Sequence, residues 1–206
     1  MNQITKISPQ TKRDGYYNIF VNEAFFCSLS DLQLATLHLK VGQQLSDQEQ
    51  ASIKKASAIT KTYNRALYYL QYGPRTTWQM NKYLVDKGYE PEYIDATIQT
   101  LIDEKYLNDE LYAMSFVQDR QTFKPRSKRM LTAELRRKGI QSDTITVVLG
   151  ALDENDQVES IKKIVDKKIK QAKYQDKKKL TEYLLRQGFS YSDIKNTLED
   201  IDFYKR

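Results

Sequence analysis

Residues 131–152 read LTAELRRKGIQSDTITVVLGAL, and the chain repeats this pattern on both sides. The matching segments are MNKYLVDKGYEPEYIDATIQTL at 80–101 and LTEYLLRQGFSYSDIKNTLEDI at 180–201. The three copies align on glycines that stand 51 and 49 residues apart: Gly88, Gly139 and Gly188. An internal repeat of this length predicts an array of similar helical units, because one such unit cannot bury its apolar face alone.

Each copy predicts two helices that meet at its glycine. Apolar residues recur eight and four positions before the glycine and six, ten and thirteen positions after it, which is the spacing of one helix face. Glycine ends helices readily because it adopts a positive φ at little cost. Pro91 suits a first helical turn, and Ser142 and Ser190 suit N-caps. We therefore expect a positive φ at all three glycines.

A third helical pattern precedes each copy, at 63–70, 111–117 and 158–165. Repeats of this kind bury their remaining apolar face by stacking on their neighbours. The sequence predicts a mainly α protein with three tandem three-helix repeats in an elongated curved array, with a small N-terminal β-rich module. The predicted domains are that module and the three repeats in chain order: 1–60, 61–107, 108–156 and 157–206.

The first sixty residues do not follow the repeat. Segments Gln3–Ser8, Tyr16–Asn22 and Ala24–Leu29 are rich in Ile, Val, Phe and Tyr and are separated by turn residues, which predicts a three-stranded antiparallel sheet. A helix is predicted over Ser30–Lys40. Another is predicted to begin at Ser46, in a capping box with the glutamate three residues later.

Composition indicates a water-soluble helical protein. Charged residues make up 29% of the 206 residues, with 7 Gly and 4 Pro, and no run approaches the ~18 apolar residues of a membrane span. The N-terminus, MNQITKISPQ, has no apolar stretch like that of a signal peptide. The single cysteine, Cys27, cannot form a disulfide within the chain. We expect a cytoplasmic protein without a membrane span.

No pattern of catalytic residues is present. The one histidine, His38, lies among apolar residues and is expected to be a partly packed helix residue. No His and Cys spacing suggests a metal site, and no glycine-rich phosphate-binding loop occurs. Acidic pairs at 109–110 and 153–154 are expected at helix starts, where the helix dipole favours them. We therefore predict no enzyme activity, no cofactor and no metal.

Positive charge is concentrated in the helix before each glycine. The net charge is +6, and residues 124–138 hold seven basic residues against one acidic. The helix after each glycine is acidic: residues 90–105 hold five acidic residues and one basic, and 141–157 hold four and none. Helix-turn-helix proteins that read DNA place the second helix in the major groove, where phosphates would repel these acidic helices. The basic first helices instead predict a positive stripe for an anionic partner.

A family resemblance is carried by a motif in and around the second repeat. Its parts, in chain order, are LNDELYA at 107–113, Arg120, KPRSKR at 124–129 and ELRRKGI at 134–140. This motif is similar to the central signature of the bacterial RecX family, the regulators of the RecA recombinase. The first repeat matches as well, whereas the third is more degenerate, with Gln187 in place of the basic residue before the glycine.

The resemblance implies a regulator of RecA, acting in homologous recombination, DNA repair and the SOS response. Similar proteins lie in the helical groove of the RecA–DNA filament and inhibit strand exchange, ATP hydrolysis and co-protease activity. The implied partners are the RecA filament and single- and double-stranded DNA, and we expect a monomer. The residues expected to contact DNA phosphates or acidic RecA side chains are basic: Lys82, Arg120, Lys124, Arg126, Lys128, Arg129, Arg136, Arg137 and Lys138.

Two other functions are open from the residues alone. The chain could be a stand-alone nucleic-acid-binding protein that acts through phosphate contacts without sequence specificity. It could also be a repeat scaffold for another protein, with its charge incidental. Comparing binding to RecA filaments with binding to naked DNA as salt rises separates these functions, because binding through phosphates alone weakens steeply with salt.

Overall fold

The computed structural model describes residues 2–11 and 13–199. Four strands occur in this part of the chain: β1 Asn2–Pro9, β2 Tyr16–Val21, β3 Ala24–Ser30 and β4 Gln44–Leu45. Ten α-helices occur there too: α1 Asp31–Thr36, α2 Asp47–Leu70, α3 Thr77–Asp86, α4 Pro91–Asp103, α5 Asp109–Phe123, α6 Lys128–Arg137, α7 Ser142–Gly150, α8 Glu154–Lys168, α9 Lys177–Arg186 and α10 Tyr191–Glu199. After α1 the helices form three triplets, α2–α4, α5–α7 and α8–α10. The predicted mainly α fold, with three three-helix repeats and an N-terminal β-rich module, is confirmed.

The chain divides into two compact units. One holds the residues up to Gly73 together with Met80–Tyr106, and the other holds Pro74–Gln79 together with the chain from Leu107 onward. The first turn of α3 therefore belongs with the second and third repeats. Helix α2 runs without a break through the predicted domain boundary at residue 60. The division into four domains at the predicted positions stays a prediction.

The N-terminal sheet has one strand more than predicted. Its order is β3-β2-β1-β4, with antiparallel pairing, and the two-residue β4 pairs with the first residues of β1. Ile4, Ile19 and Leu29 are fully buried in its core, which Ile53 of α2 joins. Cys27 lies in the same core, where burial raises the pKa of its thiol to about 11. The thiol is therefore protonated near neutral pH and a poor nucleophile.

Helix α1 is shorter than the predicted Ser30–Lys40. It ends at Thr36, and His38 takes a φ of +48°. The backbone N–H of Leu39 donates to Leu34 O, and the N–H of His38 donates to Ala35 O, which together form a Schellman motif. His38 is thus an exposed residue beyond the helix end, and its predicted place as a packed helix residue is wrong. The capping box at Ser46 is confirmed.

All three glycine corners are Schellman motifs, which explains the repeat pattern. The φ angles are +78°, +79° and +84°, so the predicted positive φ is confirmed at each glycine. In the second repeat Gly139 N donates to Arg136 O at 2.9 Å and Ile140 N donates to Leu135 O at 3.2 Å. This motif brings the residue after the glycine against the residue four before it, so both must be apolar. The other corners have the same two bonds.

The apolar positions of the repeat form the cores. The leucines four before each glycine are fully buried: Leu84, Leu135 and Leu184. Ile145 and Leu149 pack with Leu135 in the second repeat, and Ile194 and Leu198 pack with Leu184 in the third. The thirteenth position after Gly188 is Ile201, which lies outside the described residues.

The predicted start signals of the second corner helices are confirmed in two of three cases. Pro91 begins α4 and Ser190 caps α10. Ser142, in contrast, is the first residue of α7, and Gln141 takes the cap position.

A second repeated element connects successive corners. The triplet Pro-Arg-Thr at 74–76 recurs as Pro-Arg-Ser at 125–127, at the same distance before the glycine. The Thr76 hydroxyl donates to the carbonyl of Lys138 at 2.6 Å, and the Ser127 hydroxyl donates to that of Gln187 at 2.7 Å. Each acceptor directly precedes the next glycine. One buried hydroxyl thus fixes the start of its own helix and the following corner at the same time.

Ser127→Ala is expected to lower the free energy of unfolding by about 2–3 kcal/mol. Loss of the N-cap bond from Met130 N accounts for about 1 kcal/mol, and the carbonyl of Gln187 loses a buried partner that is worth about 1–2 kcal/mol more. Urea unfolding followed by circular dichroism measures the change. The control is Ser190→Ala, which removes the exposed cap of α10 and should cost about 1 kcal/mol. Equal losses in the two variants would show that the bond to Gln187 does not stabilise the fold.

Candidate nucleic-acid interface

The most basic segment, residues 124–138, comprises the loop after α5, helix α6 and its C-cap residue. Ser127 caps the helix by accepting from Met130 N, and Leu131 and Leu135 are fully buried. Because these two leucines occupy the buried face, the basic side chains lie on the other faces of the helix. Two arginines stand in its last turn, where positive charge interacts favourably with the helix dipole.

Two of the predicted contact residues form an ion-pair network with Glu134. Arg120 Nε donates to Glu134 Oε2 at 2.7 Å, and Arg126 Nε lies 3.5 Å from Glu134 Oε1. The Glu134 side chain is only 16% exposed. Arg126 also donates to Gln187 Oε1 at 2.8 Å, and the Arg120 guanidinium lies 4.6 Å from the Phe116 ring centroid. These two arginines therefore stabilise the second repeat and its contact with the third.

Two of the predicted lysines are also engaged within the chain. The Lys128 ammonium donates to the carbonyl of Leu152, and its backbone N–H donates to Gln157 Oε1 at 3.1 Å. Lys138 Nζ lies 5.5 Å from the Tyr112 ring centroid and 5.0 Å from that of Phe116. Both side chains are half-buried. Their charge is partly used in holding helices together.

Four predicted residues present their charge to solvent: Lys124, Arg129, Arg136 and Arg137. Across residues 2–11 and 13–199 none of these four forms an ion pair. Lys82 is exposed as well and lies 3.5 Å from Asp86, a surface pair worth at most about 1 kcal/mol. These five cations are open to an anionic partner. Contact of any of the nine residues with DNA or RecA stays a prediction, as does the continuity of the stripe between repeats.

Sequence reasoning did not find the aromatic residues beside this segment. Phe123, directly before Lys124, is 70% exposed. Together with Tyr183 and Lys167 it lines a cleft of about 170 Å³ in the unit that holds the second and third repeats. An apolar ring in the otherwise polar segment QTFKPRSK, residues 121–128, was the available signal.

Neither a cluster of metal-ligating side chains nor a membrane-crossing helix occurs in the part of the chain that the structure describes. Within residues 2–11 and 13–199, no group of three or more His, Cys, Asp or Glu side chains could hold a metal ion. Over the same residues no helix has the length and apolar character needed to cross a bilayer. The side chains exposed in and beside the basic segment are cationic and aromatic, a combination that suits binding to an anionic surface.

Comparison with known families accounts for the fold along most of the chain. Four family models match, described as the regulatory protein RecX N-terminal domain at 2–46 and the first, second and third three-helix domains of RecX at 63–101, 108–149 and 154–198. The three helical matches each contain one glycine corner. Each match also includes all or part of the first helix of its triplet, as the predicted three-helix repeat does.

Individual relatives agree with these matches. The regulatory protein RecX of Bacillus subtilis is 33% identical over 97% of this chain and 77% of its own length. That of Lactobacillus gasseri is 32% identical over 98% of this chain and 76% of its own. A crystal structure of regulatory protein RecX superposes with a TM-score of 0.80 at 26% identity, covering 98% of this chain and 100% of that one. The chain belongs to the RecX family of regulatory proteins.

Proposed function

We propose that this chain regulates the RecA recombinase by binding in the groove of the RecA–DNA filament. There it inhibits strand exchange, ATP hydrolysis and co-protease activity, without enzyme activity of its own. The observation that carries the proposal is membership of the RecX family along nearly the whole chain, N-terminal module included. The exposed cations of α6 support it, because a filament that holds DNA contains negatively charged phosphates.

The basic residues divide into those that are bound within the chain and those that are exposed, and this difference makes the proposal more specific. Arg120 and Arg126 are held by Glu134, and Lys128 is held by a backbone carbonyl. We assign the filament contact to the exposed residues of the set instead, with Arg129 and Arg136 at its centre. They stand seven positions apart on α6 and so share one helix face.

The test compares binding to preformed RecA filaments on single-stranded DNA with binding to the same DNA alone, as salt is raised from about 50 to 200 mM. Affinity for naked DNA should fall steeply, because each phosphate contact releases counterions. Affinity for the filament should fall less, since protein contacts add to the phosphate contacts. The same filament sample should lose ATP hydrolysis and strand exchange as the chain is added.

Two outcomes would replace this function with another. Equal salt slopes for filament and naked DNA would indicate a stand-alone nucleic-acid-binding protein that acts through phosphates. Binding to neither, in a folded sample, would indicate a scaffold whose charge is incidental.

A further inference from the structure

The cleft beside the basic segment lies within one compact unit and joins two repeats. One wall is formed by Phe123, the last residue of α5, and by residues 124–126 of the loop that connects α5 to α6. The other wall is formed by Ile164, Lys167 and Lys168 of α8 and by Tyr183 of α9. At about 170 Å³ it is smaller than the ~300–1,000 Å³ pockets that enclose free small molecules. The cleft therefore suits a single chemical group that belongs to a longer polymer, and not a whole free ligand.

The charge lining the cleft is of one sign. Four of its eight lining residues are Lys or Arg, and no Asp or Glu is among them. Lys168 Nζ is held 4.8 Å from the Tyr183 ring centroid and 5.2 Å from that of Tyr174, while Arg126 is directed to Gln187 and Glu134. Lys124 and Lys167 are exposed and form no ion pair among the described residues. A phosphate is the anion that such a pair of lysines fits.

An aromatic side chain stands at the same place. Phe123 is 70% exposed, and within residues 2–11 and 13–199 its ring takes part in no aromatic pair or cation–π contact. It contributes little to the core and leaves an apolar ring in water beside two cations. Aromatic rings interleaved with cations along a groove are the means by which proteins bind single-stranded nucleic acid without sequence preference.

We propose that this cleft binds one nucleotide of single-stranded nucleic acid, with the base stacked on Phe123 and the adjoining phosphate between Lys124 and Lys167. Duplex DNA does not fit this mode, because its bases are already stacked and paired. The inference rests on the proposed function in that both place DNA at the central basic segment. It adds a base contact and a strand preference that the family assignment does not give.

The experiment measures fluorescence anisotropy of three labelled probes with the full chain. The probes are an oligothymidylate of about 20 nucleotides, an abasic oligomer of the same length and a duplex of the same length. All three are long enough to cover a binding site of several nucleotides. The variants are Phe123→Ala and Lys167→Gln. Their matched controls are Tyr191→Ala, which removes an aromatic ring that is 64% exposed in the third repeat, and Lys162→Gln, an exposed lysine of α8 that does not line the cleft. Circular dichroism checks that all four variants are folded.

Phe123→Ala should weaken oligothymidylate binding about tenfold, which equals about 1.4 kcal/mol, and should leave abasic and duplex binding unchanged. Lys167→Gln should weaken binding to both single strands and reduce the slope of log affinity against log salt by about 0.7. Both controls should bind as the parent does. Equal losses for Phe123→Ala and Tyr191→Ala, an equal loss on the abasic strand, or no binding of the parent to oligothymidylate would overturn the inference.

The same samples separate this inference from the proposed function. A parent that has no effect on RecA, but whose oligothymidylate binding depends on Phe123, would refute RecA regulation and support the cleft. A parent that inhibits RecA, with a Phe123→Ala variant unchanged on oligothymidylate, would refute the cleft and leave RecA regulation supported.

Discussion

Gly139→Ala is expected to lower the free energy of unfolding by about 2–5 kcal/mol, because two separate costs add at this corner. The φ of +79° costs an L-residue about 1–2 kcal/mol. In addition, a Cβ at this position would overlap Cβ and Cγ of Trp78 and lie 2.8 Å from its Cδ2. Rotation of the Trp78 side chain does not move its own Cβ. The corner at residue 139 must therefore move away from the first turn of α3, at a cost of about 1–3 kcal/mol.

Gly88→Ala is the matched control for this prediction. Its φ is +78°, yet nothing lies within 4 Å of the added Cβ, so it carries the backbone cost alone, about 1–2 kcal/mol. Urea unfolding measures both variants, and Trp78, the one tryptophan of the chain, reports the contact itself. Its fluorescence should change in Gly139→Ala and not in Gly88→Ala. Equal destabilisation with unchanged fluorescence would refute close packing at this corner.

The corners could be predicted from the sequence because a Schellman motif is local. Its two hydrogen bonds and its apolar contact all lie within six residues, so the glycine, the leucine four before it and the apolar residue after it carry the whole pattern. The same motif at the end of α1 was missed, since His38 stands where glycine is expected. Strand β4 was missed for another reason: a two-residue strand has no periodicity, and only its pairing with β1 defines it.

The basic site could be predicted only as a set of charges. Charge counting cannot tell a free arginine from one held by a partner distant in sequence, such as Arg126 and Gln187, which are 61 residues apart. Gln187, at which the third repeat departs from the pattern, has a specific partner in the structure. Its side-chain oxygen accepts from Arg126, and a lysine at that position would bring a second positive charge to the same guanidinium. The degenerate position of the third repeat, Gln187, thus makes a contact with the second repeat.

The triple variant Arg129→Gln, Arg136→Gln and Arg137→Gln is expected to raise the concentration for half-inhibition of RecA strand exchange and ATP hydrolysis at least about tenfold. Three phosphate contacts would contribute about 2–3 to the salt slope of binding, so their loss should also flatten that slope. Arg126 and Lys128 are retained in this variant, because removing them would disturb Glu134 and the carbonyl of Leu152. The unfolding free energy should therefore fall by less than about 2 kcal/mol, mainly because Arg136 and Arg137 no longer interact with the helix dipole.

The charge-matched control changes three exposed lysines outside the proposed surface, Lys40, Lys61 and Lys162, to Gln. It removes the same net charge, so it measures the contribution of long-range attraction alone. If the inhibition depends on contacts at α6, the control should inhibit RecA nearly as well as the parent. A folded triple variant that also inhibits like the parent would show that α6 is not the functional surface. The candidates for the contact with the filament would then be the remaining exposed cations Lys82 and Lys124, the acidic helices that follow the corners and the N-terminal module. Charge-reversing substitutions in α4 and α7 would be the next variants to measure.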